Sequence, residues 1–219
     1  MSIKMEVWGE YACFTRPEMK VERVSYDVPT PSAARGMVES VYYHPGLKWH
    51  VDKIYVCKPI RFTNILRNEV ASKISASNVL TEANGKKRSY IDRNADIQQR
   101  ATTMLRDVHY VIEAHFEMTD KANPSDNPGK FQDMIKRRLE KGQCYSMPYF
   151  GTREFPAQFR RCTELPPCPD ELKGTRDLGW MLWDLDYSDP ADITPKFFRA
   201  SLVDGVMTVP PPNSREVRG

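Results

Sequence analysis

The stretch TMLRDVHYVIEAHFEMT, residues 103–119, constrains the fold more than any other part of the chain. Val108, Tyr110, Ile112, Ala114 and Phe116 recur at every second position, and the residues between them are mostly polar or charged. A period of two belongs to a strand with one apolar face, because a helix would spread the same residues around its circumference.

The other elements arrange themselves around that strand. IKMEVWG, residues 3–9, alternates Ile3, Met5 and Val7 against Lys4 and Glu6, which predicts a first strand. In TPSAARGMVESVYY, Thr30 suits an N-cap, Pro31 the first helical position, and Ala34, Met37, Val38 and Val41 one apolar face. KWHVDKIYVCKPIRF reads as a strand whose alternation slips, which predicts a bend or bulge. NPGKFQDMIKRRLEKG predicts a helix capped by Asn127 and closed by Gly142, with Phe131, Met134, Ile135 and Leu139 inward. CYSMPYFGTREF, residues 144–155, resumes extended structure, and LGWMLWDLDY and KFFRASLVDGVMTV predict further antiparallel strands before a loose proline-rich tail.

The order strand, helix, strand, strand, helix, strand is the split βαβ pattern. The fold class expected is α+β, with a ferredoxin-like, RNA-recognition-like βαββαβ domain over residues 1–150. A polar, basic stretch of little periodicity at about 63–99 reads as an insertion, and residues 151–219 as a small appended antiparallel β-sheet domain and tail. Many unrelated proteins share this architecture, so it does not identify a function.

Charge narrows the partners. Arg61 to Arg106 holds nine basic and four acidic residues, although the whole chain carries only +3. Such asymmetry suggests a face turned toward a polyanion. The five cysteines include no CxxC pair, so they predict reduced structural thiols, no metal site and no cofactor. His109 and His115 are expected in paired structural roles. No phosphate-binding glycine loop, dinucleotide fingerprint or nucleophile elbow is present. No run of 18 apolar residues occurs and the N-terminal segment lacks a signal-peptide block, which predicts a soluble cytoplasmic protein without membrane contact.

Two residues stand out chemically. Lys130 falls in the first turn of its helix, where the dipole disfavours a cation unless an anion is near. Either an anion binds there, or Lys130 is a surface lysine that tolerates slight repulsion. Tyr42 falls at the edge of the first helix's apolar face, and either closes the core or serves a site.

MEVWGEYACFTRPEMKVERVSYDVPTPSAARGMVESVYY resembles the N-terminal region of the CRISPR-associated Cas-five family, subtype d, of type I-C systems. RNEVASKI, LRDVHYVIEAHFEMTDKA, NPGKFQDMIKRRLEKGQ, YFGTREFPAQF and RDLGWMLWDLD extend the resemblance in order over nearly the whole chain. The resemblance implies a metal-independent endoribonuclease that cuts CRISPR repeat precursor RNA. Attack by a ribose 2′-hydroxyl leaves a 2′,3′-cyclic phosphate and a 5′-hydroxyl. The enzyme then stays on the 5′ handle of the mature guide RNA, beside the other subunits of the type I-C interference complex.

Carried over by motif, Tyr42 in ESVYYHP and Lys130 in NPGKF match the family's active tyrosine and lysine. Many relatives place a histidine directly after that lysine, where this chain has Phe131, so the identity of the base is open. His44 is the substitute imidazole considered first, and His50 the second. A nearby cation such as Lys130 is expected to lower the tyrosine pKa or to pair with the scissile phosphate. The expected RNA-binding residues are Arg67, Asn68, Lys73, Lys86, Lys87, Arg88, Arg137 and Arg138. The alternatives are a non-catalytic subunit that caps the guide 5′ end, and general nucleic-acid binding, duplex DNA included.

Overall fold

The computed structural model describes residues 2–19, 21–86, 88 and 90–219. The predicted strand at residues 103–119 is the spine of a mixed α/β architecture dominated by an antiparallel sheet. It is β5, Ile97–Met118, 22 residues long. Around it lie β1 (Ser2–Ala12), β2 (Arg23–Val24), α1 (Pro31–Val41), β3 (Leu47–Val56), β4 (Phe62–Val70) and α2 (Ala76–Ala83). After it come α3 (Pro128–Lys141), β6 (Gln158–Arg161), β7 (Thr175–Asp186), β8 (Thr194–Val203) and β9 (Val206–Thr208). The sheet order is β6-β1-β5-β3-β9-β8-β7, with β2 and β4 both paired to β5 off that path. Among the described residues no helix is long and apolar enough to cross a membrane.

One face of the spine is buried as its period requires. Val108, Tyr110, Ile112 and Ala114 are buried with Met5 and Val7 of β1 and Ile54 of β3. Helices α1 and α3 supply Ala34, Met37, Val38, Val41, Phe131, Ile135 and Leu139 to the same core. The Thr30 side chain accepts from the Ala33 amide at 3.2 Å with Pro31 at the first position of α1. Gly142 closes α3 in the left-handed region at φ 63°. The expected bulge in β3 lies between Val51 and Lys53.

The structure adds to or departs from the sequence-based expectations in four places. The basic stretch at 63–99 contains β4, which pairs with β5 from Phe62↔Leu105 to Val70↔Ile97, and the short helix α2. Its sequence carries no strand alternation because Phe62, Leu66 and Val70 are exposed while Arg67 and Glu69 are half-buried, so hydrophobicity does not mark the faces. Residues 144–155 hold turns rather than a strand, and the edge strand is β6, which pairs Met5 with Arg161. The first sheet therefore runs past residue 150, and β9 joins the C-terminal strands to β3 through Lys53–Tyr55. The tail is tied down as well, since the Arg218 amide donates to the Phe197 carbonyl at 2.8 Å and the Phe197 amide donates back to the Arg218 carbonyl at 2.6 Å.

The turn after α3 returns the chain to the sheet through a close contact. The Cys13 amide donates to the Phe150 carbonyl at 3.1 Å, and Gly151 follows at φ 80°. A Cβ on Gly151 would lie 2.0 Å from the Cys13 carbonyl oxygen. Gly151→Ala is therefore expected to lower stability by about 2–4 kcal/mol, from the left-handed backbone and the overlap together. Urea unfolding monitored by tryptophan fluorescence measures it.

Candidate active site

Two helix ends meet to make the site. Tyr42 is the C-cap of α1, with its amide still bonded to the Val38 carbonyl while its backbone has become extended. Its own carbonyl accepts a 3.1 Å bond from Trp49 Nε1. At the start of α3 the Asn127 side chain accepts from the Lys130 amide at 2.9 Å, which fixes the first turn.

Phe131 joins the two ends. It is 1% exposed, with ring centroids 6.2 Å from Tyr42, 4.9 Å from His44 and 6.2 Å from Phe116 of the spine. Seven residues on, Arg138 lies on the same helix face. Its guanidinium is 4.9 Å above the Tyr42 ring, and its Nη1 donates to the Val41 carbonyl at 2.7 Å. The cation thereby meets the carbonyl end of α1, where the dipole favours it. Tyr42, His44 and Lys130 are thus gathered around one buried phenylalanine.

The electrostatics revise one expectation. Burial raises the Tyr42 phenol above its ordinary value, outweighing the downward pull of Arg138 and Lys130, while Asp126 adds to the rise. The lysine field acts in the expected direction but does not prevail, so the phenol keeps its proton at neutral pH. Lys130 is half-exposed, and its Nζ donates to Asp126 Oδ1 at 2.7 Å. That hydrogen bond is the chief cause of an ammonium pKa raised above the ordinary lysine value. In the free chain, Asp126 is the anion that the sequence position of Lys130 demanded. The signal was available in the spacing, since Asp126 and Lys130 stand four residues apart.

His44 is placed where it was expected, but it is not arranged as a base. Its Nδ1 accepts from the Gly46 amide at 3.0 Å. His50 belongs elsewhere, because it neighbours the helix-facing Trp49 on β3 and points to the opposite side of the sheet, stacked on His115 at 5.2 Å. The ring of His115 is bonded to Asp52 at 2.8 Å and that of His109 to Glu6 at 2.8 Å, so both have the paired roles expected.

The RNA-binding candidates divide. Asn68, Lys73, Lys86 and Arg88 are exposed on the arm built from β4, α2 and the following turn, and Arg137 is exposed on α3. Lys87 lies outside the described residues. Arg67 is paired within the chain: its guanidinium donates to Glu154 at 2.6 Å and lies 3.5 Å from Glu69 with only 14% of its side chain exposed. Its charge is spent within the chain. Arg138 is likewise engaged by Tyr42 and Val41, which makes it part of the Tyr42 cluster.

The chain is similar over nearly its whole length to known proteins. The Cas_Cas5d family model, described as CRISPR-associated protein (Cas_Cas5), matches residues 2–210. A protein of Mannheimia succiniciproducens named CRISPR pre-crRNA endoribonuclease Cas5d is 51% identical over 224 residues, covering 99% of this chain and 98% of that one. A protein of the same name from Thermus thermophilus is 38% identical over 234 residues, covering 98% and 94%. A solved structure described as a CRISPR-associated protein superposes with a TM-score of 0.72 at 22% identity, covering 100% of this chain and 97% of its own. The Streptococcus mutans protein SMU1763c does so at 0.70 and 20%, with the same coverage. With a family match over nearly its whole length and full-length relatives at these identities, the chain belongs to the Cas5d family of CRISPR-associated proteins.

Proposed function

We propose that this chain is a cytoplasmic, metal-independent endoribonuclease that cuts CRISPR repeat precursor RNA and remains on the guide 5′ handle beside other type I-C subunits. The observation that carries this reading is the meeting of two helix ends, where Tyr42 and His44 pack on Phe131 and Lys130 is bonded to Asp126 beside His44. Two full-length relatives named as pre-crRNA endoribonucleases support it. The strand order β6-β1-β5-β3, with α1 and α3 covering one face, supports a ferredoxin-like, RNA-recognition-like unit to which β7, β8 and β9 are appended.

The chemistry follows from the protonation states. The ribose 2′-oxygen attacks the adjacent phosphorus and loses its proton to water. The bond to the 5′-oxygen then breaks, giving the cyclic phosphate and a 5′-hydroxyl. Tyr42, kept protonated by burial, serves as a donor and can give the departing 5′-oxygen its proton. Lys130 remains an ammonium and faces the negative charge that accumulates on the phosphorane. Exposed cations of the arm hold backbone phosphates away from the cut.

Tyr42→Phe and Lys130→Ala are each expected to slow single-turnover cleavage of labelled repeat RNA by about two to three powers of ten. Melting temperatures within a few degrees of the parent would exclude unfolding as the cause. Equal rates in parent and Tyr42→Phe would remove Tyr42 from the chemistry. The buried Phe131, standing where the resemblance implies a histidine, supports a second reading as a non-catalytic cap of the guide. Tight binding without any cut by the parent protein would select it.

The arm makes a separate prediction. Replacing Lys73, Lys86 and Arg88 together by alanine should weaken RNA binding and lower the slope of log K against log salt by about 2, at roughly 0.7–0.9 per lost phosphate contact. Arg67→Ala should leave that slope unchanged, because its partners are Glu154 and Glu69. Filter binding across a salt series reads both.

A further inference from the structure

Asp126 appears nowhere in the reaction scheme above, yet it is among the most constrained groups near the site. Its carboxylate is 1% exposed. Oδ1 accepts from Lys130 Nζ at 2.7 Å, while Oδ2 accepts from the Asn123 amide at 2.9 Å and from Asn123 Nδ2 at 3.1 Å. His44 Nε2 lies 3.8 Å from the same Oδ2. The Asn123 bonds tie the carboxylate to its own turn, so it is a fixed anion, and Asn127 beside it caps α3.

The state of His44 follows from its other nitrogen. Nδ1 accepts from the Gly46 amide, and an accepting nitrogen carries no proton. The neutral ring therefore bears its hydrogen on Nε2, which faces Asp126. Gly46 is itself fixed, since a Cβ there would come within 2.7 Å of Ala122 Cα. In this arrangement neither ring nitrogen offers a free lone pair. His44 is a donor.

We propose that Asp126 is a positioning residue for the cleavage reaction, holding Lys130 Nζ toward the place of a phosphate oxygen of the repeat RNA, with His44 closing the far side of the carboxylate. This rests on the reading of Tyr42 and Lys130 as the cleavage site. A lysine ammonium has three N–H donors, so the bond to Asp126 leaves two for the substrate. A fixed anion near an incoming phosphate also opposes binding. Asp126 thus speeds the bound reaction and weakens association, an opposition that a merely structural turn residue would not produce.

The test uses the full chain with Asp126→Asn and Asp126→Glu, measuring single-turnover rate and RNA affinity separately. Asn should slow cleavage about tenfold to a hundredfold while affinity stays equal or tightens up to about fivefold, the scale of one charge at contact distance in water. Glu should recover part of the rate. An unchanged rate with Asn, or rate and affinity falling together with melting temperature, would overturn the proposal.

A second readout does not depend on cutting. Tyr42 faces Lys130 from the end of α1 and Asp126 from its own turn, with His44 behind the carboxylate. Titration of Lys130 followed through its Cε chemical shift should move to lower pH in Asp126→Asn. An unmoved titration overturns the positioning role even if the parent protein leaves RNA whole, the outcome that would by itself defeat the proposed activity.

Discussion

The packing of Phe131 holds the site together. Its ring is buried at the one place where the end of α1, the start of α3 and the spine strand converge, in contact with Tyr42, His44 and Phe116. A fully buried aromatic side chain contributes on the order of 1.5–3 kcal/mol by burial alone. Here the same burial decides where a tyrosine, a histidine and a lysine stand relative to one another. Arg138 reinforces the junction by bonding the last turn of α1 and covering the Tyr42 ring. A site on two helix ends is held by the core beneath it, and the turns that carry His44 and Asp126 complete it.

Desolvation and charge act in opposite senses at this junction. Removing the Tyr42 ring from water favours the neutral phenol more strongly than two nearby cations favour the phenolate. The reverse holds for Lys130, whose half-exposed ammonium is stabilised by a carboxylate at hydrogen-bond distance. Both groups therefore keep their protons at neutral pH. Donors around a developing phosphorane are what such a pair can supply, and that chemistry needs no base at the position of Phe131.

Much of the frame was legible in the sequence because its signals were strong and local. The period of two in residues 103–119 marked the spine, and Thr30, Asn127 and Gly142 marked three helix ends by their capping chemistry. Strand β4 was hidden because its exposed face carries Phe62, Leu66 and Val70 and its covered face Arg67 and Glu69. The tail was misread because composition says nothing of the backbone pairing between Arg218 and Phe197. Lys130 and Tyr42 stood out by their places on the two helices, but their catalytic roles came from a resemblance. Asp126 was passed over because a short acid before an N-cap looks like turn chemistry, and only the fold shows it 1% exposed against Lys130.

The most direct test of the account uses repeat RNA with a single 2′-deoxyribose on the 5′ side of the cut, beside the all-ribose strand, in excess EDTA. The account predicts that the all-ribose strand is cut to 2′,3′-cyclic phosphate and 5′-hydroxyl ends, while the deoxy strand is bound with equal affinity and left whole. Cleavage of the deoxy strand, or failure of EDTA-treated protein to cut a ribose strand that it cuts when a metal is supplied, would contradict it.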